Sequence, residues 1–171
     1  RSGMASRELY EIRERNGESH QKDFLTVGSM GHASQIALGI ALSKKTRQVV
    51  CLDGDGAALM HLGGMAIIGT TKPENYVHII LNNGAHDSVG GQPTVGRDVD
   101  LASVALCLGY KASVKANTQK QLIDALKADG PGPRCIEVLV RKGNRKDLGR
   151  PKSTPVENKQ AFMQYIAEAN K

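Results

Sequence analysis

The chain has 171 residues, of which 40% are hydrophobic and 23% are charged, and its formal net charge is +6. A chain of this length and apolar content can bury a sizeable core, which favours one domain over residues 1–171. It contains two Phe, four Tyr and no Trp, so that core must be mainly aliphatic. The positive charge permits an anionic ligand without identifying one.

Hydrophobic spacing predicts helices and strands that alternate along the chain. The predicted helices cover residues 6–16, 33–44, 57–70, 100–109, 118–128 and about 154–170. The predicted strands cover residues 24–27, 48–53, 76–82, 110–115 and 134–142. This alternation predicts an α/β fold, in which a parallel sheet carries helices on both faces.

Three cysteines, Cys51, Cys107 and Cys135, lie far apart, and each is in an apolar run. Their odd number and the lack of CxxC spacing favour buried free thiols in a reducing compartment. The sequence shows no signal peptide and no apolar run near the roughly 20 residues that cross a bilayer. These features predict a cytoplasmic protein without membrane contact.

Residues 141–152 (RKGNRKDLGRPK) form a basic segment that holds six basic residues and one acidic residue. The simplest interpretation is a solvated surface segment, and a contact to phosphate or phosphonate is the alternative. We do not expect nucleic acid as a partner, because no aromatic platform accompanies the charge.

Glycine-rich turns follow three predicted strands, at residues 28–31 (GSMG), 54–56 (GDG) and 82–84 (NNG). Ligands of parallel sheets bind beyond the carboxyl ends of the strands, so these turns should open on one edge. Asp55 offers a carboxylate at a helix N-terminus, and Asn83 offers an amide oxygen. With a backbone carbonyl they form an oxygen set suited to Mg²⁺, which also keeps phosphate oxygens as ligands. The set predicts a diphosphate held through a metal, although either residue alone would be interpreted as a helix cap or a turn.

The GDG, followed after 25 residues by NN, resembles the thiamine-diphosphate motif of pyruvate-decarboxylase-like enzymes. The resemblance implies a thiamine-diphosphate-binding (pyrophosphate-type) fold. It also implies that Mg²⁺ is bound by side-chain oxygens of Asp55 and Asn83 and by the carbonyl of Ala85, while Gly56 and Ala57 approach the diphosphate through their backbones. The cofactor-binding residues implied in this way are Gly28, Ser29, Met30, Gly54, Asp55, Gly56, Ala57, Asn83 and Ala85.

The loop at residues 28–31 resembles the family segment that contacts the aminopyrimidine ring. The resemblance implies that the Gly28 carbonyl accepts a hydrogen bond from the 4′-amino group. It also implies that Met30 wedges between the two rings and holds the cofactor bent. The bend matters because the 4′-imino group must lie close to the thiazolium C2 to remove its proton. Ordinary core packing is the alternative for Met30.

The similarity extends over nearly the whole chain. The segments SREL, DFLTVGSMGHASQIALGIAL, DGDGAALMHLGGMAIIG, NNGAHDSVGGQPTV and RKGNRKDLGRP together resemble the phosphonopyruvate decarboxylases, with sulfopyruvate decarboxylase β subunits as close relatives. The resemblance implies decarboxylation of an anionic 2-oxo acid, with phosphonopyruvate giving phosphonoacetaldehyde and CO₂. The alternative is sulfopyruvate giving sulfoacetaldehyde.

His86 is the second candidate catalytic residue, after Met30. It follows the predicted ligand Asn83 by three positions and could donate to the substrate or shuttle a proton. A loop histidine that bonds to the backbone is an equally good interpretation. The candidates for contacting the anionic tail of the substrate are His32, His86, Ser88, Gln92 and the basic segment near Arg145.

The resemblance also implies a partner. Enzymes of this class need a glutamate from a separate domain to hydrogen-bond N1′ of the aminopyrimidine, and 171 residues leave no room for two such domains. We therefore expect a pyrimidine-binding domain or α-type subunit as partner, an oligomer, and no activity from this chain alone. Two other classes stay open: a non-catalytic nucleotide-binding α/β module, and a thiamine enzyme that joins two oxo acids.

Overall fold

The structure is a computed structural model that describes residues 3–168, which fall into two compact units. The larger unit covers residues 30–143, and the smaller one combines the segments before residue 30 and after residue 143. The helices are α1 Met4–Asn16, α2 Ala33–Ser43, α3 Asp55–Met60, α4 Gly63–Thr71, α5 Leu101–Cys107, α6 Gln119–Lys127 and α7 Pro155–Glu168. The strands are β1 Val49–Gly54, β2 Tyr76–Asn82, β3 Ala112–Ala116 and β4 Arg134–Leu139.

The larger unit contains a four-stranded parallel sheet in the order β1-β2-β4-β3. β1 and β2 are neighbours, and their register pairs Val49 with Tyr76 and Gly54 with Leu81. The last residues of the two strands therefore lie side by side at one edge of the sheet. This arrangement confirms the predicted parallel α/β fold and brings the turns after β1 and β2 to the same end.

The strand side chains alternate between two hydrophobic clusters, one on each face of the sheet. One cluster combines Tyr76, Ile80 and Cys135 with residues of α2, α4 and α5. The other combines Val77, Ile79, Ala116, Ile136 and Val138 with Leu122 and Ala125 of α6. Burial of such side chains contributes about 1.5–3 kcal/mol each, so the two clusters hold helices to both faces, as predicted.

Two predicted elements of the first half of the chain differ in the structure. Residues 24–27 form no strand, because the Leu25 N–H donates to Asn158 Oδ1 at 2.8 Å instead of to a neighbouring strand. The predicted helix at 57–70 is two helices, α3 and α4, which are separated at His61 and Leu62. The glycines that open α4 favour such a break, since glycine is a poor helix former.

All three cysteines lie within the described residues and are free thiols, as expected, but one of them is not buried. Cys51 and Cys135 lie in the core, whereas Cys107 at the end of α5 is exposed. The prediction that Cys107 is buried is therefore wrong. Although it lies in an apolar run, it is on the side of α5 that faces away from the sheet.

Polar side chains organise the smaller unit around α1 and α7. Asn158 of α7 donates to the Asp23 carbonyl at 2.8 Å, and Asp23 receives two hydrogen bonds from Arg13, at 2.7 and 3.0 Å. Phe24 and Phe162 add a ring contact at 5.6 Å. The predicted C-terminal helix is present as α7, and its last predicted positions, 169 and 170, lie outside the described residues.

The part of the basic segment in the smaller unit lies against acidic residues of α1. Arg145 forms ion pairs with Glu8 and Glu11, and Lys152 lies 3.9 Å from Glu14. These pairs favour the surface interpretation for this part of the segment. Across residues 3–168, no helix combines the length and apolar character needed to cross a bilayer.

Candidate functional site

Asp55 lies directly after β1 as the first residue of α3, and only 1% of it is exposed. Its Oδ1 accepts a hydrogen bond from the Asn83 N–H at 3.4 Å, and its Oδ2 accepts one from the Thr94 hydroxyl. Neither of these partners carries a positive charge. A buried carboxylate is costly unless a cation or several donors compensate it, so this position is chemically suited to a divalent metal.

Asn83 directly follows β2, beside the end of β1. Its Oδ1 accepts from the Ala85 N–H at 3.0 Å, and its Nδ2 donates to Asp87 Oδ2 at 2.7 Å. Gly84, which stands between Asn83 and Ala85 in the chain, has φ +68°, a left-handed conformation that favours glycine. The structure therefore brings Asp55, Asn83 and Ala85 together at one edge of the sheet, and their role as metal ligands remains a prediction.

The loop after Asn83 folds back onto the site as a short hairpin. Ala85 and Pro93 form an antiparallel bridge, and the Thr94 N–H donates to the Gly84 carbonyl at 3.0 Å. This return places Thr94 against Asp55, a contact that sequence reasoning missed. The Gly90-Gly91 pair at the far end of the loop was the available signal, since adjacent glycines indicate a tight hairpin turn.

Two glycines leave room for the side chains of the site. A Cβ atom at Gly96 would lie 2.8 Å from the Asp55 Cβ and 3.0 Å from Asn82 Oδ1. A Cβ atom at Gly56 would overlap the His86 ring. By contrast, nothing lies within 4 Å of a Cβ position at Gly54. The GDG turn is thus closely packed on its inner side and open at its start, which fits a bulky ligand near the backbone.

A buried polar network lies behind the two turns. Asn82 Nδ2 donates to Glu137 Oε1 at 2.7 Å and to the Gly96 carbonyl at 2.5 Å, and its Oδ1 accepts from the Gly84 N–H at 3.2 Å. Glu137 also accepts from the Ala102 N–H at 3.1 Å, and neither Asn82 nor Glu137 is measurably exposed. Sequence reasoning missed Glu137, although a charged residue inside an apolar strand run was a usable signal.

The other predicted site residues fall in both units. Gly28 and Ser29 belong to the smaller unit, where Gly28 is exposed with φ +71°. Met30 is half-buried and belongs to neither hydrophobic cluster, which argues against simple core packing. Ala57 is buried in α3.

The candidates for contacting the substrate tail also belong to both units. The His86 ring lies beside Gly56 of the GDG turn, and the His86 N–H donates to the Gln92 carbonyl at 2.8 Å. Ser88 and Gln92 are exposed on the same loop, whereas the His32 ring lies 4.3 Å from the ring of His61. Arg145 is in the smaller unit, where α1 carboxylates engage it.

A second cluster of polar side chains lies inside the core. Cys51, Asp53 and His78 each place one ligand atom within 4.8 Å of the others, and all three are buried. His78 contacts Asp53 Oδ2 at 3.4 Å and the Tyr110 hydroxyl at 3.1 Å. Burial lowers the His78 pKa, but hydrogen bonds to Asp53 and Cys51 outweigh this and raise it to about 10. Because hydrogen bonds and charge already satisfy these groups, we interpret the cluster as structural, as the position of His78 in a strand predicts.

Residues 2–138 match the thiamine pyrophosphate enzyme family through its C-terminal TPP binding domain. The chain is similar to the phosphonopyruvate decarboxylase of Streptomyces viridochromogenes, with 41% identity over 167 residues that cover 96% of this chain and 41% of that protein. The chain thus spans about two fifths of that relative.

Two further proteins resemble the chain. The sulfopyruvate decarboxylase subunit beta of Methanothermobacter thermautotrophicus is 40% identical over 142 residues, which cover 83% of this chain and 72% of the subunit. A solved structure assigned as a thiamin diphosphate-dependent enzyme of Mycobacterium smegmatis matches 68% of this chain and 23% of its own, with a TM-score of 0.50 and 25% identity. The family match favours thiamine diphosphate over a dinucleotide as the cofactor of this chain.

Proposed function

This chain belongs to the thiamine pyrophosphate enzymes, as a C-terminal TPP binding domain, and we propose that it forms part of an Mg²⁺-dependent decarboxylase of anionic 2-oxo acids. One observation carries the proposal. The buried Asp55 carboxylate and Asn83 lie together where two neighbouring parallel strands end, joined by a 3.4 Å hydrogen bond. This is the arrangement that a metal-anchored diphosphate requires at a sheet edge.

The metal would be held by the carboxylate of Asp55, the amide oxygen of Asn83 and the backbone carbonyl of Ala85. The donor set fits Mg²⁺, because it contains hard oxygen atoms of which one is charged. The backbones of Gly54, Gly56 and Ala57 would approach the diphosphate. The support is steric, since Gly54 leaves open space at the start of the turn.

Thiamine diphosphate, when bound, supplies a nucleophilic carbon and stores the electron pair left by departing CO₂. The chain contributes binding and orientation. The Gly28 carbonyl would accept a hydrogen bond from the aminopyrimidine, with Ser29 beside it, and the Met30 side chain would hold the two rings of the cofactor at an angle. His86 would donate to the substrate or move a proton, and the contact of its ring with Gly56 supports a place near the cofactor.

Phosphonopyruvate is the substrate we place first, with phosphonoacetaldehyde and CO₂ as products. The 41% identity to a phosphonopyruvate decarboxylase over 96% of this chain supports that choice. Sulfopyruvate is the second candidate, since the similar sulfopyruvate decarboxylase β subunit is covered over 72% of its length. His32, His86, Ser88 and Gln92 are the candidates for contacting the anionic tail of either acid. Arg145 is less favoured, because Glu8 and Glu11 engage it.

A partner would complete the site. We propose that a pyrimidine-binding domain, or an α-type subunit, supplies the glutamate that contacts the aminopyrimidine, and that the assembly is an oligomer in the cytoplasm. The 41% coverage of one relative and the name "subunit beta" of another support a partner on the same polypeptide or on a second one.

The test is a decarboxylation assay with phosphonopyruvate, sulfopyruvate and pyruvate, run with and without the partner polypeptide. We expect CO₂ and an aldehyde from one of the two anionic acids, only with the partner, thiamine diphosphate and Mg²⁺ all present. A branched hydroxy-oxo acid detected by NMR would instead identify an enzyme that joins two oxo acids. No turnover, together with a rise in unfolding temperature caused by NAD and not by thiamine diphosphate, would favour the nucleotide-binding module.

A further inference from the structure

The orientation of the Asn83 amide depends on Asp87. Nδ2 of Asn83 donates to Asp87 Oδ2 at 2.7 Å, while Oδ1 accepts from the Ala85 N–H at 3.0 Å. A carboxylate accepts hydrogen bonds and donates none when ionised, so only the nitrogen of the amide can face it. The reversed amide would place Oδ1 against a carboxylate and Nδ2 against an N–H donor. Two unfavourable contacts therefore oppose the reversal.

Asp87 is held in turn by the start of the basic segment. The Gly143 N–H donates to the same Asp87 oxygen at 2.7 Å, across 56 residues of sequence. Beside it, Lys142 Nζ donates to the Gly91 carbonyl at 2.6 Å, across 51 residues. Gly143 has φ +100°, which favours glycine at this point of the chain. Residues 142 and 143 therefore fasten the loop that carries Asp87.

We propose that Asp87 is a positioning residue that keeps Oδ1 of Asn83 available to Mg²⁺, and that Gly143 keeps Asp87 in place. The inference rests on the proposed function, because it assumes that Asn83 is a metal ligand. It assigns the first residues of the basic segment to the metal site through hydrogen bonds, rather than to the substrate through charge.

The loop offers variants that separate orientation from charge. Asp87→Ala removes the acceptor for both Asn83 and Gly143. Asp87→Asn keeps an oxygen that can occupy the position of Oδ2 and accept both bonds, while it removes the negative charge. Asp98→Ala is the matched control, because Asp98 is an exposed carboxylate on the same connection between β2 and α5.

The experiment measures Mg²⁺ affinity by calorimetry in the complete enzyme with thiamine diphosphate present, together with the unfolding temperature without ligands. Loss of a residue that orients a metal ligand typically weakens metal binding about 10–100-fold, and we expect Asp87→Ala to fall in that range. We expect Asp87→Asn to stay within about threefold of the wild type if it keeps both hydrogen bonds. Asp98→Ala should bind Mg²⁺ as the wild type does.

The possible outcomes separate this inference from the proposed function. Wild-type enzyme that binds no Mg²⁺ with thiamine diphosphate would overturn the proposed function itself. Wild-type binding that Asp87→Ala leaves unchanged would overturn only the role of Asp87. Equal losses in Asp87→Ala and Asp87→Asn would show that charge, not orientation, matters, and would also overturn the inference. If Asp87→Ala does not fold, the comparison of Asp87→Asn with the wild type decides, since a loss beyond about tenfold contradicts the orientation argument.

Discussion

The hydroxyl of Thr94 donates a hydrogen bond to Oδ2 of Asp55, although 39 residues separate the two in the chain. The same hydroxyl oxygen accepts from the Gly96 N–H at 3.1 Å. Thr94 thus joins the turn after β1 to the loop after β2. This contact directs one carboxylate oxygen of Asp55 and leaves the other beside Asn83.

Thr94→Val should weaken Mg²⁺-dependent binding of thiamine diphosphate about tenfold or more, because it removes the hydrogen bond that orients Asp55 while it preserves the shape of the side chain. Thr94→Ser should bind nearly as the wild type does. Titration of the assembled enzyme with cofactor, followed by calorimetry, measures both. Equal affinity in Thr94→Val and the wild type would show that Asp55 needs no such support.

Asp55→Ala should abolish Mg²⁺-dependent cofactor binding. The fold should survive, because the variant removes a buried carboxylate whose described partners carry no positive charge. The cofactor affinity and the ligand-free unfolding temperature are the two measurements, with the exposed Asp129→Ala as control. Full cofactor affinity in Asp55→Ala would place the metal elsewhere.

Met30→Ala should lower the turnover number about tenfold or more and change cofactor affinity less, since a wedge that bends the cofactor acts on the geometry of reaction. Its half-buried position outside both hydrophobic clusters makes a large loss of stability unexpected. Steady-state kinetics and a thermal melt separate the two roles. Unchanged turnover with a lowered unfolding temperature would assign Met30 to packing.

Alanine at two helical glycines should change stability in opposite directions. A Cβ atom at Gly69 in α4 would overlap the backbone carbonyl of Leu108, so Gly69→Ala should destabilise the fold by about 1–3 kcal/mol. Gly39 in α2 has open space at its Cβ position, so Gly39→Ala should stabilise the fold by roughly 0.5–1 kcal/mol. Urea unfolding measures both values. A neutral Gly69→Ala would show that α4 can move away from the turn at Leu108.

The stability of the larger unit should fall as the pH rises from about 6.5 towards 10. Because the folded-state pKa of His78 is raised to about 10, its contribution is fully present below the unfolded-state value and is lost as the pH passes through the folded one. Cys51, Asp53, Tyr76 and Tyr110 surround it, and burial raises the pKa values of both tyrosines.

Unfolding free energies at pH 6, 8 and about 10 test this prediction. His78→Gln should flatten the dependence in that window, since it removes the titrating group. A wild-type curve that is already flat between pH 6.5 and 10 would mean that His78 is neutral in the folded protein.

The candidate site divides into a part that was visible in the sequence and a part that was not. Asp55 and Asn83 could be predicted to lie together because each belongs to a glycine turn that follows a recognisable strand, and parallel neighbours bring such turns together. Asp87, Thr94 and Glu137 could not be identified in this way. Their partners lie 4, 39 and 55 residues away, and only the shortest of these separations is local.

The sequence by itself determined the alternation of helices and strands in the larger unit, the parallel α/β class and the edge at which the turns after β1 and β2 open. Those properties depend on hydrophobic period and turn residues, which are local. Only the tertiary structure decided that 24–27 is not a strand, that α3 and α4 are separate, and how the Asn83 amide is oriented. The Leu25 N–H donates to Asn158 across 133 residues, and the Asp87 carboxylate that orients the amide is itself held by the Gly143 N–H across 56 residues. Contacts between distant parts of the chain therefore outweigh the local preference at both points.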